Sequence, residues 1–364
     1  MRFRYGAWTG GAWGDPEFLK ALLNLYHQLL LQTNGDVDDA FDALEQIGER
    51  YGFFGKDFDL EKFKEWLKQN DAVREVEPGK HVLTGRGERA IRRDSLQEIF
   101  GKMAKSAAGD HRMPKSGIGV DRLPETRAYE FGDSTADLDP IGTIGNAIRR
   151  NGVDDIDIAQ EDFEVYETEH LTSCATVLLL DVSHSMILYG EDRITPAKKV
   201  ALALTELILT KYPKDAIDVL LFGDEATEVP ISEIPYVQVG PYHTNTKAGL
   251  ELAQRILRRR KHNNKQIFMI TDGKPSALYE NGRLYTNSFG LDMKIVNRTL
   301  EEADRCRRAN IPITTFMLAT DPTLVNFVDQ LSKINRGRAF YASADRLGEY
   351  ILADYIRNRR KFVH

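Results

Sequence analysis

A short apolar run that ends in a cluster of polar residues is the feature that most constrains the fold of this chain. Val177–Leu180 is continuously apolar and leads directly into Asp181, with Ser183 and Ser185 following at alternate positions. A run of this length is typical of a buried parallel strand in an α/β sheet. Such strands deliver their last residues to the edge of the sheet where ligands bind. The pattern therefore predicts an α/β fold with a polar site at the end of this strand.

The polar residues at this strand end are chemically suited to one class of ligand. Asp-x-Ser-x-Ser supplies hard and mainly neutral oxygen atoms. Mg²⁺ and Mn²⁺ favour octahedral oxygen coordination and seldom need a cage made only of carboxylates. The motif therefore predicts a site for Mg²⁺ or Mn²⁺.

Two further segments carry matching chemistry. Thr244 stands just before a helical pattern that begins near Thr246, and a second apolar strand, beginning at Lys265, ends at Asp272. In this order the three segments resemble the von Willebrand factor A (VWA) family, whose metal-ion-dependent adhesion site is Asp-x-Ser-x-Ser, a distal threonine and a distal aspartate. The resemblance implies five metal-site residues: Asp181, Ser183, Ser185, Thr244 and Asp272.

The resemblance also implies an architecture and a mode of action. It implies a doubly wound, Rossmann-like α/β domain with a mostly parallel sheet and helices on both faces. In the family the two aspartates, here Asp181 and Asp272, act wholly or partly through bound waters. One metal position then stays open for a carboxylate donated by a partner protein. These implications favour a non-enzymatic interaction module.

Two alternatives remain open at this point. The serines, the threonine and both aspartates are also residues that cap helices and turns. A metal-dependent hydrolase or phosphatase is the second alternative. A phosphotransferase of the haloacid dehalogenase type would place a second carboxylate two residues after the first, where this chain has Ser183. A P-loop motif is missing from the sequence, which argues against ATP binding of that kind.

Apolar periodicity and glycine and proline content divide the 364 residues into three stretches. We predict a mainly helical N-terminal region over 1–105, with a part that resembles a winged helix. Glycine and proline punctuate 106–162, which we predict to be an extended connector docked on a domain. Strands alternate with amphipathic helices over 163–364, the VWA region.

Composition limits the classes of partner and environment. A net charge of −6 argues against general nucleic-acid binding, so a DNA-binding regulator based on the winged-helix-like part is only a minor alternative. The two cysteines do not provide a disulfide framework. The sequence lacks an apolar stretch long enough to span a bilayer, and its first residues do not resemble a signal peptide. We therefore expect a cytoplasmic protein without membrane contact.

Candidate partner-binding residues surround the expected metal. A long insertion after Asp272 carries three aromatic residues, and histidines occupy variable positions of two metal loops: Tyr279, Tyr285, Phe289, His184 and His243. Exposed aromatic residues are common at recognition surfaces. The aromatic residues could also fold back over the sheet edge, and the histidines could make only local hydrogen bonds.

The order of the regions suggests a type of partner. A helical N-terminal region before a VWA domain is similar to prokaryotic VWA proteins that work beside MoxR-type AAA+ ATPases in metal insertion or enzyme maturation. This resemblance implies a chaperone-like adaptor whose metal grips a carboxylate on such an ATPase or on its client.

Overall fold

In the computed structural model most of the chain is described, and the chain forms two compact units. The first unit comprises residues 1–106 and 173–357, and the second comprises 107–172 and 358–364. The described residues are 16–51, 59–107, 122–129, 138–152, 157–168, 173–240, 242–272, 274–280, 282–287, 290–318, 321–344 and 346–359.

The N-terminal part of the first unit is mainly helical, as predicted. Its elements are α1 (Pro16–Gln32), α2 (Val37–Tyr51), α3 (Leu60–Gln69), β1 (Val73–Glu77), β2 (Lys80–Leu83) and α4 (Gly85–Ala107). β1 and β2 form an antiparallel hairpin. The carboxylate of Asp59 accepts the free backbone N–H groups of Glu61 and Lys62, which fixes the start of α3. The winged-helix resemblance rests on the order α3, hairpin, α4 and remains a prediction.

Strands and helices alternate in the remainder of the first unit. Its strands are β5 (Cys174–Asp181), β6 (Ala216–Phe222), β7 (Ala226–Val229), β8 (Asn264–Thr271), β9 (Ala277–Glu280), β10 (Arg283–Thr286), β11 (Ile313–Met317) and β12 (Arg338–Tyr341). Its helices are α6 (Ile194–Lys211), α7 (Thr246–Arg259), α8 (Met293–Arg308), α9 (Pro322–Asn335) and α10 (Leu347–Arg359). Among the described residues, the helices lack the combination of length and apolar character needed to span a membrane.

Six of these strands form the central sheet in the order β12-β11-β8-β5-β6-β7. All neighbours pair in parallel except β7, which is an antiparallel edge strand. We call the side on which the parallel strands end the carboxyl edge and the opposite side the amino edge. β9 and β10 form a separate antiparallel hairpin, so part of the insertion after Asp272 is ordered sheet rather than irregular loop.

The predicted doubly wound α/β fold is confirmed by the way the sheet is covered. Successive residues of β5 point to opposite faces, and every residue of the strand is buried. Leu178 and Leu180 pack with α6 and α10, whereas Val177 and Leu179 pack with α7, α8 and α9. Because both faces of this strand are buried, polar residues do not alternate with apolar ones along it. This explains its continuously apolar sequence.

The N-terminal helices and the central sheet belong to the same compact unit, although the sequence suggested separate regions. Helix α6 explains this arrangement because it is buried over most of its surface, from Ile194 to Ile208. Residues of α1, α2 and α6 belong to one continuous apolar cluster with residues of the sheet. A helix that is buried on almost every face needs covering on both sides. The N-terminal helices therefore complete the core.

The second unit differs from the extended connector predicted for 106–162. It contains β3 (Arg122–Ala128), α5 (Pro140–Asn151) and β4 (Glu164–Thr168), and β3 pairs antiparallel with β4. Asp139 caps α5 by accepting the N–H of Ile141. β4 also lies within the stretch 163–364 predicted to be the VWA region, whereas the unit that contains the central sheet resumes at Ser173. Short strands that pair across a long sequence separation leave little hydrophobic periodicity in the sequence. The prediction of an extended connector therefore rested on the glycine and proline residues of this stretch.

Candidate metal centre

Parallel strand ends bring the predicted site residues to the carboxyl edge. β5 ends at Asp181, β8 ends immediately before Asp272, and these two strands are hydrogen-bonded neighbours. Thr244 lies in the segment that connects β7 to α7. In open α/β sheets the loops at this edge form the crevice where ligands bind.

Four of the five predicted residues form one hydrogen-bonded cluster. The Oγ atoms of Ser183 and Ser185 are 3.0 Å apart, and Ser185 Oγ donates to Asp272 Oδ1 at 2.8 Å. The backbone N–H of Ser183 donates to Asp181 Oδ1 at 2.9 Å. Both aspartates and Ser183 are almost fully buried, whereas Ser185 is partly exposed. The cluster therefore concentrates two carboxylates and two hydroxyl groups at one strand end.

The Asp181 carboxylate is held in an environment that disfavours its charge. Burial and the nearby charge of Asp272 raise the pKa of Asp181 to about 7, although hydrogen bonds from Ser183 and Thr271 act in the opposite direction. The Thr271 hydroxyl donates to Asp181 Oδ2 at 2.5 Å. Two buried carboxylates this close together favour a cation between or beside them.

One such cation is a side chain that the sequence pattern did not single out. Arg193 forms an ion pair with Asp272 Oδ2 and a second ion pair with Glu191. Its backbone N–H donates to the carbonyl of Met186 at 3.0 Å, which holds the residue next to the Ser185 loop. Among the described residues, Asp181 and Asp272 form no other ion pair with a basic side chain.

Thr244 is fixed by its backbone rather than by contact with the cluster. Its N–H donates to Ser276 Oγ at 2.9 Å, and its carbonyl accepts from the N–H of Ser276 at 2.9 Å. Within the described part of the chain, its hydroxyl makes no hydrogen bond to the four clustered residues. Ser276 therefore joins the threonine loop to the segment after Asp272, a role that no local sequence pattern revealed.

The two predicted histidines lie in neighbouring loops with different contacts. The backbone N–H of His184 donates to the carbonyl of Tyr242 at 3.1 Å, and the His184 side chain is exposed. His243 Nδ1 lies 3.1 Å from Asp224 Oδ1, which also accepts the backbone N–H of His243. His243 thus makes a local hydrogen bond. Tyr242, which the sequence analysis did not single out, is 45% exposed.

The predicted aromatic residues of the insertion are partly tied down. The Tyr279 hydroxyl donates to Glu225 Oε1 at 2.9 Å, and the Tyr285 hydroxyl donates to Asp292 Oδ2 at 2.9 Å. Both residues nevertheless keep about two-fifths of their surface exposed, at 40% and 38%. Phe289 lies outside the described residues. The β9–β10 hairpin therefore presents tyrosine rings whose hydroxyls are held in place.

The donor set fits a hard divalent cation better than a soft one. Among the described residues, no three His, Cys, Asp or Glu side chains group together in a way that could hold a metal. Both cysteines are buried, and neither forms a disulfide. A cation at the carboxyl edge would therefore depend on serine and threonine hydroxyls, two carboxylates and water. Mg²⁺ and Mn²⁺ accept such neutral oxygen ligands.

Sequence comparison relates this chain to the Rv0959-like proteins. The family model described as "Rv0959-like protein, vWA domain" matches residues 174–356, and the model described as "Rv0959-like protein, third domain" matches 121–168. The uncharacterized protein Rv0959 of Mycobacterium tuberculosis (strain ATCC 25618 / H37Rv) is 34% identical over 284 residues, or 76% of this chain. Protein Mb0984 of Mycobacterium bovis gives the same values. The aligned region spans only 41% of these curated relatives.

Structural comparison returns solved structures of low sequence identity. The PilB minor pilin of Streptococcus sanguinis, as its D319A mutant, is 14% identical, with a TM-score of 0.46 over 55% of this chain and 65% of that chain. The vWF domain of the pili tip protein Mfa5 from Porphyromonas gingivalis is 13% identical, with a TM-score of 0.42 over 51% of this chain and 96% of that chain.

Proposed function

The chain belongs to the Rv0959-like family of von Willebrand factor A domain proteins, and from this premise we propose that it is a non-enzymatic protein-interaction module that depends on Mg²⁺ or Mn²⁺. The observation that carries the proposal is the hydrogen-bonded cluster of Ser183, Ser185 and Asp272 beside Asp181 at the carboxyl edge. It supports metal binding because it gathers hard oxygen donors where a parallel sheet binds ligands.

Each of the five predicted residues has a role in this proposal. Ser183, Ser185 and Thr244 each offer one neutral hydroxyl oxygen, and Asp181 and Asp272 supply negative charge directly or through water. A metal held mainly by neutral oxygen atoms keeps much of its positive charge, and when bound it attracts a further carboxylate. Asp181 and Asp272 are buried, so the partner's carboxylate approaches from the exposed side of the cluster. The metal then bridges the two proteins.

The surface around the cluster would select the partner. His184 and Tyr242 lie beside the metal loops, and Tyr279 and Tyr285 extend this rim along the β9–β10 hairpin. His243 belongs to the same proposed surface, and Phe289 stays a sequence prediction outside the described residues. Partly exposed aromatic rings add apolar contact area around a central charged contact, as at many interfaces.

The type of partner follows from the order of regions in the chain. Helices precede the VWA part, as in the prokaryotic VWA proteins that accompany MoxR-type AAA+ ATPases. We therefore assign this chain a chaperone-like adaptor role, with such an ATPase or its client as the carboxylate donor. The cytoplasm is the compartment in which such a complex would act.

A capture experiment in two buffers tests the proposal. Purified chain is used as bait for host lysate in Mg²⁺ and in EDTA, after calorimetry with Mg²⁺ and Mn²⁺ has established metal binding. We expect a protein that wild type retains in Mg²⁺ but not in EDTA, and that Asp181→Ala does not retain in either buffer. Asp218→Ala is a matched control because Asp218 is also a buried aspartate but lies toward the amino edge of β6.

The outcome also separates an interaction module from an enzyme. Identical capture in Mg²⁺ and EDTA, despite measured metal binding, would contradict a metal bridge. Metal-dependent turnover of phosphatase substrates that Asp181→Ala abolishes would instead favour the hydrolase alternative.

A further inference from the structure

Arg193 provides a fixed positive charge at the candidate metal centre. Its guanidinium is ion-paired with Asp272 Oδ2, and only 18% of the side chain is exposed. The opposite oxygen of the same carboxylate, Oδ1, accepts the hydroxyl of Ser185 at 2.8 Å. Arg193 therefore binds one oxygen of the Asp272 carboxylate, Oδ2. The other oxygen, Oδ1, remains the one that accepts the Ser185 hydroxyl.

The backbone and a second carboxylate hold Arg193 in this position. It lies between the short 3-10 helix at His184–Gly190 and the first turn of α6, where its N–H donates to the Met186 carbonyl at 3.0 Å. Glu191 Oε2 accepts from Arg193 Nε at 3.0 Å and from Nη2 at 2.6 Å. An arginine held by several such contacts is pre-organised, and its guanidinium stays charged at all working pH values.

The charges of the cluster give Arg193 a specific consequence. Asp181 and Asp272 together supply two negative charges when ionised, and a divalent cation would balance them completely. With Arg193 present, the same cation leaves an excess of positive charge at the buried centre, because Glu191, the second partner of Arg193, is 64% exposed and offsets the arginine charge only in part. A carboxylate from a partner protein would offset that excess.

We infer that Arg193 is a positioning residue that weakens binding of the metal alone and reserves tight metal binding for the complex with a carboxylate-bearing partner. This inference rests on the proposed metal site and adds a mechanism of partner selectivity. Arg193 repels the metal through its charge and holds Asp272 in place through its ion pair. Metal and partner consequently bind more tightly together than either does alone.

Metal titration of charge variants tests this inference. Mn²⁺ binding to the full chain is measured by calorimetry and by electron paramagnetic resonance of free Mn²⁺, without any partner. We expect Arg193→Gln to bind Mn²⁺ at least about tenfold more tightly, since a unit charge a few ångströms away acts through a low effective dielectric. Arg193→Lys keeps the charge and should stay within about threefold of wild type.

A matched control separates a local effect from a change in overall charge. Arg260 is also ion-paired with a buried aspartate, Asp218, but this pair lies toward the amino edge of the sheet. Arg260→Gln changes the net charge by the same amount and should leave Mn²⁺ affinity unchanged. Arg193→Met serves as a second neutral variant should Arg193→Gln fail to fold.

Each result has a distinct meaning. Failure of both wild type and the neutral Arg193 variants to bind Mn²⁺ or Mg²⁺ would overturn the proposed function itself. Wild type that binds, together with neutral Arg193 variants that bind no more tightly, would overturn only this inference. Equal loss of affinity in Arg193→Gln and Arg193→Lys would also overturn it, because it would show that Arg193 only shapes the loop.

Discussion

Lys198 is the residue whose burial most clearly joins the N-terminal helices to the sheet. Its side chain is fully buried in α6, and Nζ lies 2.6 Å from the Leu31 carbonyl and 3.0 Å from Asn34 Oδ1. The Val237 and Pro235 carbonyls lie 3.2 and 3.3 Å from the same nitrogen. An ammonium group has three donors, so these acceptors can satisfy it without a carboxylate partner. Burial nevertheless lowers the pKa of Lys198 to about 8, while the charge of Asp192 opposes the shift.

This shift predicts a pH dependence of stability. The unfolded chain keeps the Lys198 proton up to the ordinary lysine pKa of 10.5, whereas the folded chain releases it near pH 8. Between these values folding releases a proton, so rising pH favours the folded state. The free energy of unfolding of wild type should therefore gain about 3 kcal/mol over that of Lys198→Met between pH 7.5 and 10.5. Urea unfolding of both proteins at several pH values measures this gain, and a pH-independent difference would contradict it.

At the scale of elements, the β9–β10 hairpin is the part of the carboxyl edge that can be changed independently. Its base is structural: Ala277 and Leu278 are buried, and the N–H of Asn287 donates to the Ser276 carbonyl at 2.8 Å. Its tip is more exposed, and Gly282 has a positive φ of 74° that suits a tight turn. The base therefore supports the threonine loop, while the tip is available for a partner.

Shortening the hairpin tests this division of roles. Leu278 pairs with Tyr285, so replacing residues 279–284 with Asn-Gly closes a two-residue turn on that pair and keeps the base. We expect metal affinity and the unfolding midpoint to remain near wild type, while retention of the Mg²⁺-dependent partner falls. Calorimetry, thermal unfolding and the capture experiment measure these quantities. Loss of metal binding or of folding would show instead that the tip is part of the centre.

At the scale of the whole molecule, the N-terminal helices and the sheet behave as one structural unit. Besides the contacts of Lys198, Arg92 pairs with Glu206 across this boundary, and Lys199 pairs with Glu98. α1 and α6 contribute to the same apolar cluster as the sheet. Elements that share one core are expected to unfold in one cooperative transition.

The tryptophan positions make this cooperativity measurable. Trp66 lies in α3, so in a background in which the other two tryptophans, Trp8 and Trp13, are replaced by phenylalanine the fluorescence reports on the N-terminal helices. Phe268→Ala empties a fully buried position in β8, next to Phe316, and should cost about 3–5 kcal/mol. The fluorescence midpoint should shift together with the far-UV circular dichroism midpoint.

A surface variant controls for nonspecific effects on unfolding. Leu209→Ala truncates a side chain that is 51% exposed on α6, and it should change the free energy of unfolding by less than about 0.5 kcal/mol. Fluorescence that does not respond to Phe268→Ala would show that the N-terminal helices unfold independently of the sheet.

Local patterns predicted the fold better than they predicted the domain arrangement. The apolar runs of β5 and β8 predicted buried parallel strands, and their strand-end aspartates predicted a site at the carboxyl edge. The second unit was not recognised, because β3 and β4 pair across a separation that includes α5. The metal and its five residues remain a prediction, although hydrogen bonds join four of them.

The sequence by itself determined the α/β architecture and the chemistry of the carboxyl edge, because burial of a strand is recorded residue by residue in its apolar run. Only the tertiary structure decided which charge faces Asp272, since Arg193 lies 79 residues earlier in the chain. The same holds for the Ser276 contact with Thr244 and for the cover over α6. The ion-pair or hydrogen-bond partner of a charged or polar side chain is the group that the fold brings near it. Local sequence does not record which distant residue that will be.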